Sequence, residues 1–203
     1  MTKPSLFIFL GRSGCGKGTQ TTLLSKHLKD KNPETGVFYV STGDEFRKFL
    51  ESDSYTSIQL KKIISAGGLA PSFLASMMWA NVIAKEYTEN THMIVDGSPR
   101  TLAEKEIFDT IFDFYGMQHV YEFEKVHIVY MDVSREWGTQ RLLGRARSDD
   151  TVEAVARRMD WFDKYLYPVI LKYKTDPRVV FHNVNGEKSI EEVHEEIVKS
   201  LEI

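Results

Sequence analysis

Leu6-Phe7-Ile8-Phe9-Leu10-Gly11-Arg12-Ser13-Gly14-Cys15-Gly16-Lys17-Gly18-Thr19 is the stretch from which the rest of the chain can be read. Its first five residues are an uninterrupted apolar run, the pattern of a strand covered on both faces in a parallel sheet. Gly11 to Lys17 matches G-x-x-x-x-G-K. Lys17 to Asp30, with Leu23, Leu24 and Leu28 at helical spacing, then reads as a helix. Strand, glycine-rich turn and helix together form a phosphate cradle. Glycines let backbone N–H groups turn toward phosphate oxygens, the helix N-terminus adds about half a positive charge, and Lys17 adds a full one. Cys15 reads as a small filler within the loop. By itself the loop points to nucleotide or phosphoryl chemistry and does not choose among switch GTPase, ATPase and small-molecule kinase.

Working outward, further short apolar runs occur at Val37 to Val40, Met93 to Val95, Val126 to Met131 and Val179 to Phe181. The segments between them are helical in pattern. Pro71 stands as a first-turn proline before Phe73, Leu74, Met77, Met78 and Val82. Thr151 to Tyr173 is a long helix bent near Pro168, and Ile190 to Leu201 closes the chain. This alternation predicts an α/β fold of doubly wound type, three layers around a parallel five-stranded sheet. Ser41 to Ala70 is helical and longer than one crossover needs, so it reads as an insertion. Met77, Met78 and Trp79, and likewise Trp161, Phe162, Tyr165 and Tyr167, read as core packing. The six histidines read as scattered.

Composition narrows the function classes. A chain of 203 residues is one domain of ordinary globular make-up. With 26 basic and 29 acidic side chains and net charge −3, it has no whole-chain footprint for nucleic acid or membrane. One cysteine excludes an internal disulfide, and no Cys/His cluster offers a structural zinc site. No apolar stretch approaches the roughly 18 residues of a membrane span, and the first run is too short for a signal segment. The expectation is a soluble cytoplasmic monomer acting on small molecules.

The ending Gly16-Lys17-Gly18-Thr19-Gln20 resembles the adenylate kinase family of nucleoside monophosphate kinases, with Ser13 where that family usually has proline. The resemblance continues in order along the chain. Ser41-Thr42-Gly43-Asp44 with Arg47 resembles the start of the family's monophosphate-binding insertion, and Gly67-Gly68-Leu69-Ala70-Pro71 its hinge. Asp96-Gly97-Ser98-Pro99-Arg100 resembles D-G-[FY]-P-R, with Ser98 replacing the aromatic. Arg141 to Arg145, Arg147 to Asp150 and Arg158 resemble the lid region, and Val184 to Lys188 the late loop beside the donor adenine. The resemblance implies one domain over 1–203. Its core is 1–41, 71–143 and 151–203, its monophosphate-binding insertion 42–70, and its very short lid 144–150.

The family likeness also implies roles. Gly14, Cys15, Gly16, Lys17, Gly18, Thr19, Arg141 and Lys188 would bind ATP. Thr42, Arg47, Gly68, Leu69, Ala70, Gly97, Arg100 and Glu104 would bind the monophosphate. Lys17, Arg100, Arg145, Arg147 and Arg158 would be catalytic, and Asp96 would hold Mg²⁺ through water. The chemistry needs such cations because donor and acceptor phosphates repel one another, and guanidinium forks suit phosphate oxygens. The implied reaction is transfer of the ATP γ-phosphoryl group to AMP. Glu104 stands where adenylate-specific members carry glutamine. A carboxylate only accepts hydrogen bonds, which fits guanine's paired donors better than adenine. It either reads the base or turns to solvent from the first turn of its helix. GMP, UMP or CMP are therefore alternative acceptors, and lowered base selectivity is expected. A non-catalytic nucleotide sensor and a kinase of a non-nucleotide metabolite are the rival readings.

Overall fold

The computed structural model describes residues 4–65, 68–117, 125–145 and 150–203. The strands are β1 (Leu6–Gly11), β2 (Gly36–Ser41), β3 (Thr91–Asp96), β4 (Val126–Asp132) and β5 (Val180–Asn185). They form one parallel sheet in the order β2-β3-β1-β4-β5. β1 lies at the centre and every residue of it is buried, which is why its sequence is apolar without alternation. The edge strands β2 and β5 are only partly covered, so the expectation of strands buried on both faces holds for the three inner strands and fails at the two edges.

Helices cover both faces. α1 (Lys17–Lys31) and the final helix, α9 (Ile190–Leu201), enclose one core with Phe7, Phe9, Ile94 and Val129. On the opposite face, Leu6, Ile8, Leu10 and Val95 pack against α4 (Ser72–Glu86), α5 (Leu102–Ile111) and α8 (Tyr167–Lys174). α2 (Thr42–Glu51) and α3 (Tyr55–Ser65) form the insertion between β2 and α4. Pro71 is the N-cap of α4, one position before the expected first turn.

Two further helices, α6 (Arg135–Arg145) and α7 (Val152–Trp161), pack together through Leu142, Val155 and Met159. Between α7 and α8 the helix continues through a π-helical segment, Phe162–Leu166. The irregularity therefore precedes Pro168. Proline has no N–H for the carbonyl one turn back, and the hydrogen-bond ladder shifts there. Met77 is 44% exposed, unlike its neighbours Met78 and Trp79, which are core. The histidines are not scattered. His127 and His182 lie buried on the adjacent strands β4 and β5, His92 lies buried on β3 with Phe7 of β1 between it and His127, and His27 meets His194 across α1 and α9. Among the described residues no helix is long and apolar enough to cross a membrane.

Candidate active site

β1 and β3 are neighbours whose connections leave in opposite directions, to β2 and to β4. A crevice opens at such a reversal beyond the carboxyl ends of the strands. The phosphate loop follows β1 there, and Asp96 ends β3 beside it. A cavity of about 1050 Å³ occupies the crevice, lined by Gly14, Gly16, Lys17, Gly18 and Thr19 of the loop, by Asp96, and by Arg141 and Arg145 of α6. A second cavity of about 340 Å³ reaches toward α2 and α3, with Gly68, Leu69, Ala70 and Arg158 in its wall. Lys17, Arg47, Gly97, Arg100 and Arg145 line both. The cations that the sequence disperses over the chain thus converge where the two cavities meet.

The loop is built by backbone geometry. Gly14 and Gly16 adopt φ of 87° and 93°, in the left-handed region that other residues avoid. A Cβ at Gly14 would stand 2.7 Å from the carbonyl oxygen of Gly138, so the loop rests directly on α6. The Cys15 N–H donates to the Arg12 carbonyl at 3.2 Å and its thiol packs inward, 3% exposed, as a filler residue should. Lys17 Nζ donates to the carbonyls of Gly11 at 2.8 Å and Arg12 at 3.1 Å. Arg12, unmarked in the sequence, ties the loop to the π-helical segment. Its guanidinium pairs with Asp163 at 2.8 Å and lies 4.0 Å from the centre of the Phe162 ring.

Around Asp96 and Arg100 the contacts are specific. The Tyr39 hydroxyl donates to Asp96 Oδ2 at 3.2 Å, a partner the sequence did not suggest because β2 and β3 are far apart along the chain. Burial, together with the Asp96 charge, pushes the Tyr39 phenol up to about 12. Arg100 Nε donates to the Gly97 carbonyl at 2.8 Å. Burial pulls its guanidinium below the ordinary value, while Glu104 and Asp96 act in the opposite direction. Arg47, more than half exposed, pairs with Asp44 one turn earlier on α2. Asp150, whose side chain is fully buried, accepts from Arg145 at 2.6 and 3.1 Å and from Arg158 at 2.5 Å. The hydrogen bonds from Arg145, and then those from Arg158, hold its carboxyl below the usual carboxylate range against the effect of burial.

Several expected site residues are placed differently. Glu104 neither lines a cavity nor turns to solvent. It is 2% exposed, and its carboxylate accepts from the Arg100 N–H at 2.9 Å and the Thr101 hydroxyl at 3.2 Å. Thr101 caps α5 by accepting from the Glu104 N–H, so the two residues satisfy the helix start reciprocally, and the acid is drawn inward. Thr42 is also fully buried, bonded to Ser98 at 2.7 Å. The short Ser98 side chain places its hydroxyl directly against that of Thr42. Lys188 points away to Glu196 at 2.6 Å and lines neither cavity, although the late loop does reach the phosphate loop through Gly186. Arg147, Asp149 and Gly67 lie outside the described residues. Trp137 and Gln140, missed in the sequence, line the first cavity beside Arg141, whose guanidinium lies 5.7 Å from the centre of the Trp137 ring. Trp161, Phe162 and Tyr165, expected as packing alone, also line the second cavity.

A divalent cation fits this donor set in one way. Asp96 is a single carboxylate facing the start of α1, its Oδ2 within 3.6 Å of the Cβ position at Gly18. Among the described residues no group of three or more His, Cys, Asp or Glu side chains could enclose an ion. That suits Mg²⁺ carried mostly by nucleotide oxygens and water, with one carboxylate behind the water.

Comparison with known proteins places this geometry. The adenylate kinase family profile matches residues 9–178. Adenylate kinase of Kocuria rhizophila is 30% identical over 199 residues, covering 96% of this chain and 97% of its own. Adenylate kinase of Corynebacterium aurimucosum is 26% identical over 195 residues, covering 96% and 98%. UMP-CMP kinase 3 of Arabidopsis thaliana is 29% identical over 197 residues, covering 96% and 88%. With a phosphate loop at the sheet reversal, arginines gathered at the junction of two cavities, and a profile match spanning most of the chain, this protein belongs to the adenylate kinase family.

Proposed function

We propose that this nucleoside monophosphate kinase transfers the γ-phosphoryl group of ATP to AMP, giving two ADP, with Mg²⁺ accompanying ATP. The observation that carries the reading is that Lys17, Arg47, Arg100 and Arg145 line both cavities at once. A donor in the larger cavity and an acceptor in the smaller would present their phosphates to the same cations.

Catalysis follows from positioning and charge. The acceptor is already an ionised phosphate, so no strong general base is required. One of its oxygens attacks the γ-phosphorus in line as the bond to the ADP oxygen breaks, and charge spreads over the equatorial oxygens. Lys17 exchanges its hydrogen bonds to the Gly11 and Arg12 carbonyls for the transferring group. Arg47 and Arg100 hold the acceptor phosphate, Arg100 aimed by the Gly97 carbonyl. Arg145 and Arg158, oriented by Asp150, neutralise developing charge together with Arg147. Arg141 lies with Trp137 along the donor side. Asp96 would hold Mg²⁺ through water, and the ion would supply charge neutralisation to the donor phosphates. Closure of the insertion 42–70 and the short lid 144–150 would exclude water before transfer.

A second reading keeps the reaction and changes the acceptor to GMP, UMP or CMP. It is favoured by the likeness to a protein named UMP-CMP kinase. A coupled assay of nucleoside diphosphate formation, with ATP, Mg²⁺ and each monophosphate in turn, tests both. AMP should give turnover that disappears when Mg²⁺ is chelated. Tight ATP binding with no diphosphate formed from any monophosphate would remove the kinase reading in favour of a sensor.

A further inference from the structure

Among the described residues, the side chains that the family likeness assigns to the acceptor base are engaged elsewhere. Thr42 and Ser98 are fully buried and bonded to each other. The Glu104 carboxylate is held by the Arg100 N–H and the Thr101 hydroxyl, away from the cavity. The Gly97 carbonyl already accepts from Arg100, and the Gly68 N–H donates to the Ile63 carbonyl at 2.8 Å. Besides its arginines and Lys17 the cavity presents apolar and aromatic side chains: Phe46 and Leu50 of α2 and Ile64 of α3, and, from the end of α7 and the π-helical segment, Trp161 and Tyr165.

Resting on the kinase reading above, we propose that the acceptor is selected by its phosphate and by stacking of its base on the aromatic lining of this cavity, Phe46 and Trp161, not by side-chain hydrogen bonds to the base edge. AMP and GMP are then acceptors of comparable efficiency. The magnitudes separate the alternatives. A site built to hydrogen-bond a substrate rejects a mismatched analogue by roughly 10⁴–10⁵-fold, whereas apolar pockets discriminate by roughly 10–200-fold. Stacking tolerates any base because each has a π-face, and a purine covers more of an aromatic wall than a pyrimidine does. The amide-to-carboxylate change at position 104 loses its meaning for specificity when that group is engaged within the helix cap. Trp161 acquires one instead.

The test is kcat/KM for AMP, GMP, CMP and UMP at saturating Mg·ATP, in the wild type, Glu104→Gln and Trp161→Ala. In the wild type AMP and GMP should agree within about tenfold, with CMP and UMP roughly 10–200-fold lower. Glu104→Gln, which keeps an acceptor oxygen for the Arg100 N–H, should leave the AMP:GMP ratio within about threefold. Trp161→Ala should raise KM for both purines about tenfold or more while KM for ATP stays unchanged. A wild-type AMP:GMP ratio beyond tenfold would overturn the proposal, as would a larger shift of that ratio in Glu104→Gln. If calorimetry shows ATP bound and no monophosphate is phosphorylated, it is the kinase reading that fails.

Discussion

Lys17 and Arg100 show how individual side chains are prepared for charge. The ammonium of Lys17 rests on two loop carbonyls and lies within reach of the phosphate site without being needed by the core. Lys17→Met should therefore retain the fold and lose roughly 10²–10³-fold in turnover, the loss typical of one transition-state donor. Steady-state kinetics beside a melting curve checks this, and turnover within a few-fold of wild type would contradict the role. Arg100 is fixed at both ends, its guanidinium by the Gly97 carbonyl and its backbone by Glu104. Arg100→Ala should weaken monophosphate binding more than ATP binding in separate calorimetric titrations; equal losses would place it on neither side in particular. These residues were legible in the sequence because each sits in a short motif whose spacing is local. Tyr39 on Asp96, Thr42 on Ser98 and the inward turn of Glu104 were not. Each depends on which strand or cap lies alongside, and one sequence does not carry that information.

At the scale of elements, the site is a contact between the phosphate loop and the helices α6 and α7. Gly14 meets the Gly138 carbonyl, and Gly138 in turn would bring a Cβ within 3.0 Å of the Ser13 carbonyl. Gly14→Ala should cost about 1–3 kcal/mol from its left-handed backbone alone, with a further loss of ATP affinity as the loop lifts from α6. Urea unfolding and ATP titration measure the two effects, and unchanged values for both would show that the contact is dispensable. α7 delivers Arg158, while Asp150, just before it, ties that arginine to Arg145 of α6. Arg158→Ala and Arg147→Ala should lower turnover strongly with modest change in ground-state affinity, the signature of groups acting on developing charge. A change confined to the Michaelis constant would instead make them binding residues. α6 escaped sequence reading because it buries little beyond Gly138 and Leu142, and so lacks a clear apolar stripe.

Across the whole molecule, the sheet order brings segments from residues 11 to 158 to one crevice and gathers histidines on its α1–α9 face. His127 Nδ1 lies 2.9 Å from His182 Nε2, both rings buried, with Phe7 stacked on His127 and His92 adjacent. Burial, then the charge of His182, with Lys125 and His92 adding smaller effects, pulls His127 down to about 3. Burial also lowers His182, with Lys125 acting the same way and Glu202 opposing. The unfolded chain takes up protons below about pH 6.5 while folded His127 stays neutral, so its contribution to stability is complete above that pH and falls as pH drops toward 3, and the lowering of His182 acts in the same direction. The slope is at most about 1.4 kcal/mol per pH unit for each such histidine. Urea unfolding at pH 7.5, 6 and 5 should show this fall, and His127→Asn should flatten it; an equal slope in the variant would assign acid sensitivity to other groups. The sequence by itself determined the fold class, the phosphate loop, the order of the motifs and the identities of the cations. Periodicity and turn chemistry act over a few residues, and these features are local in that sense. The tertiary structure alone decided which polar side chains remain free to meet a ligand. Whether Glu104, Thr42 or a histidine faces a cavity or a neighbour is settled by packing between segments far apart in the chain, because a buried polar group takes the nearest partner that satisfies it.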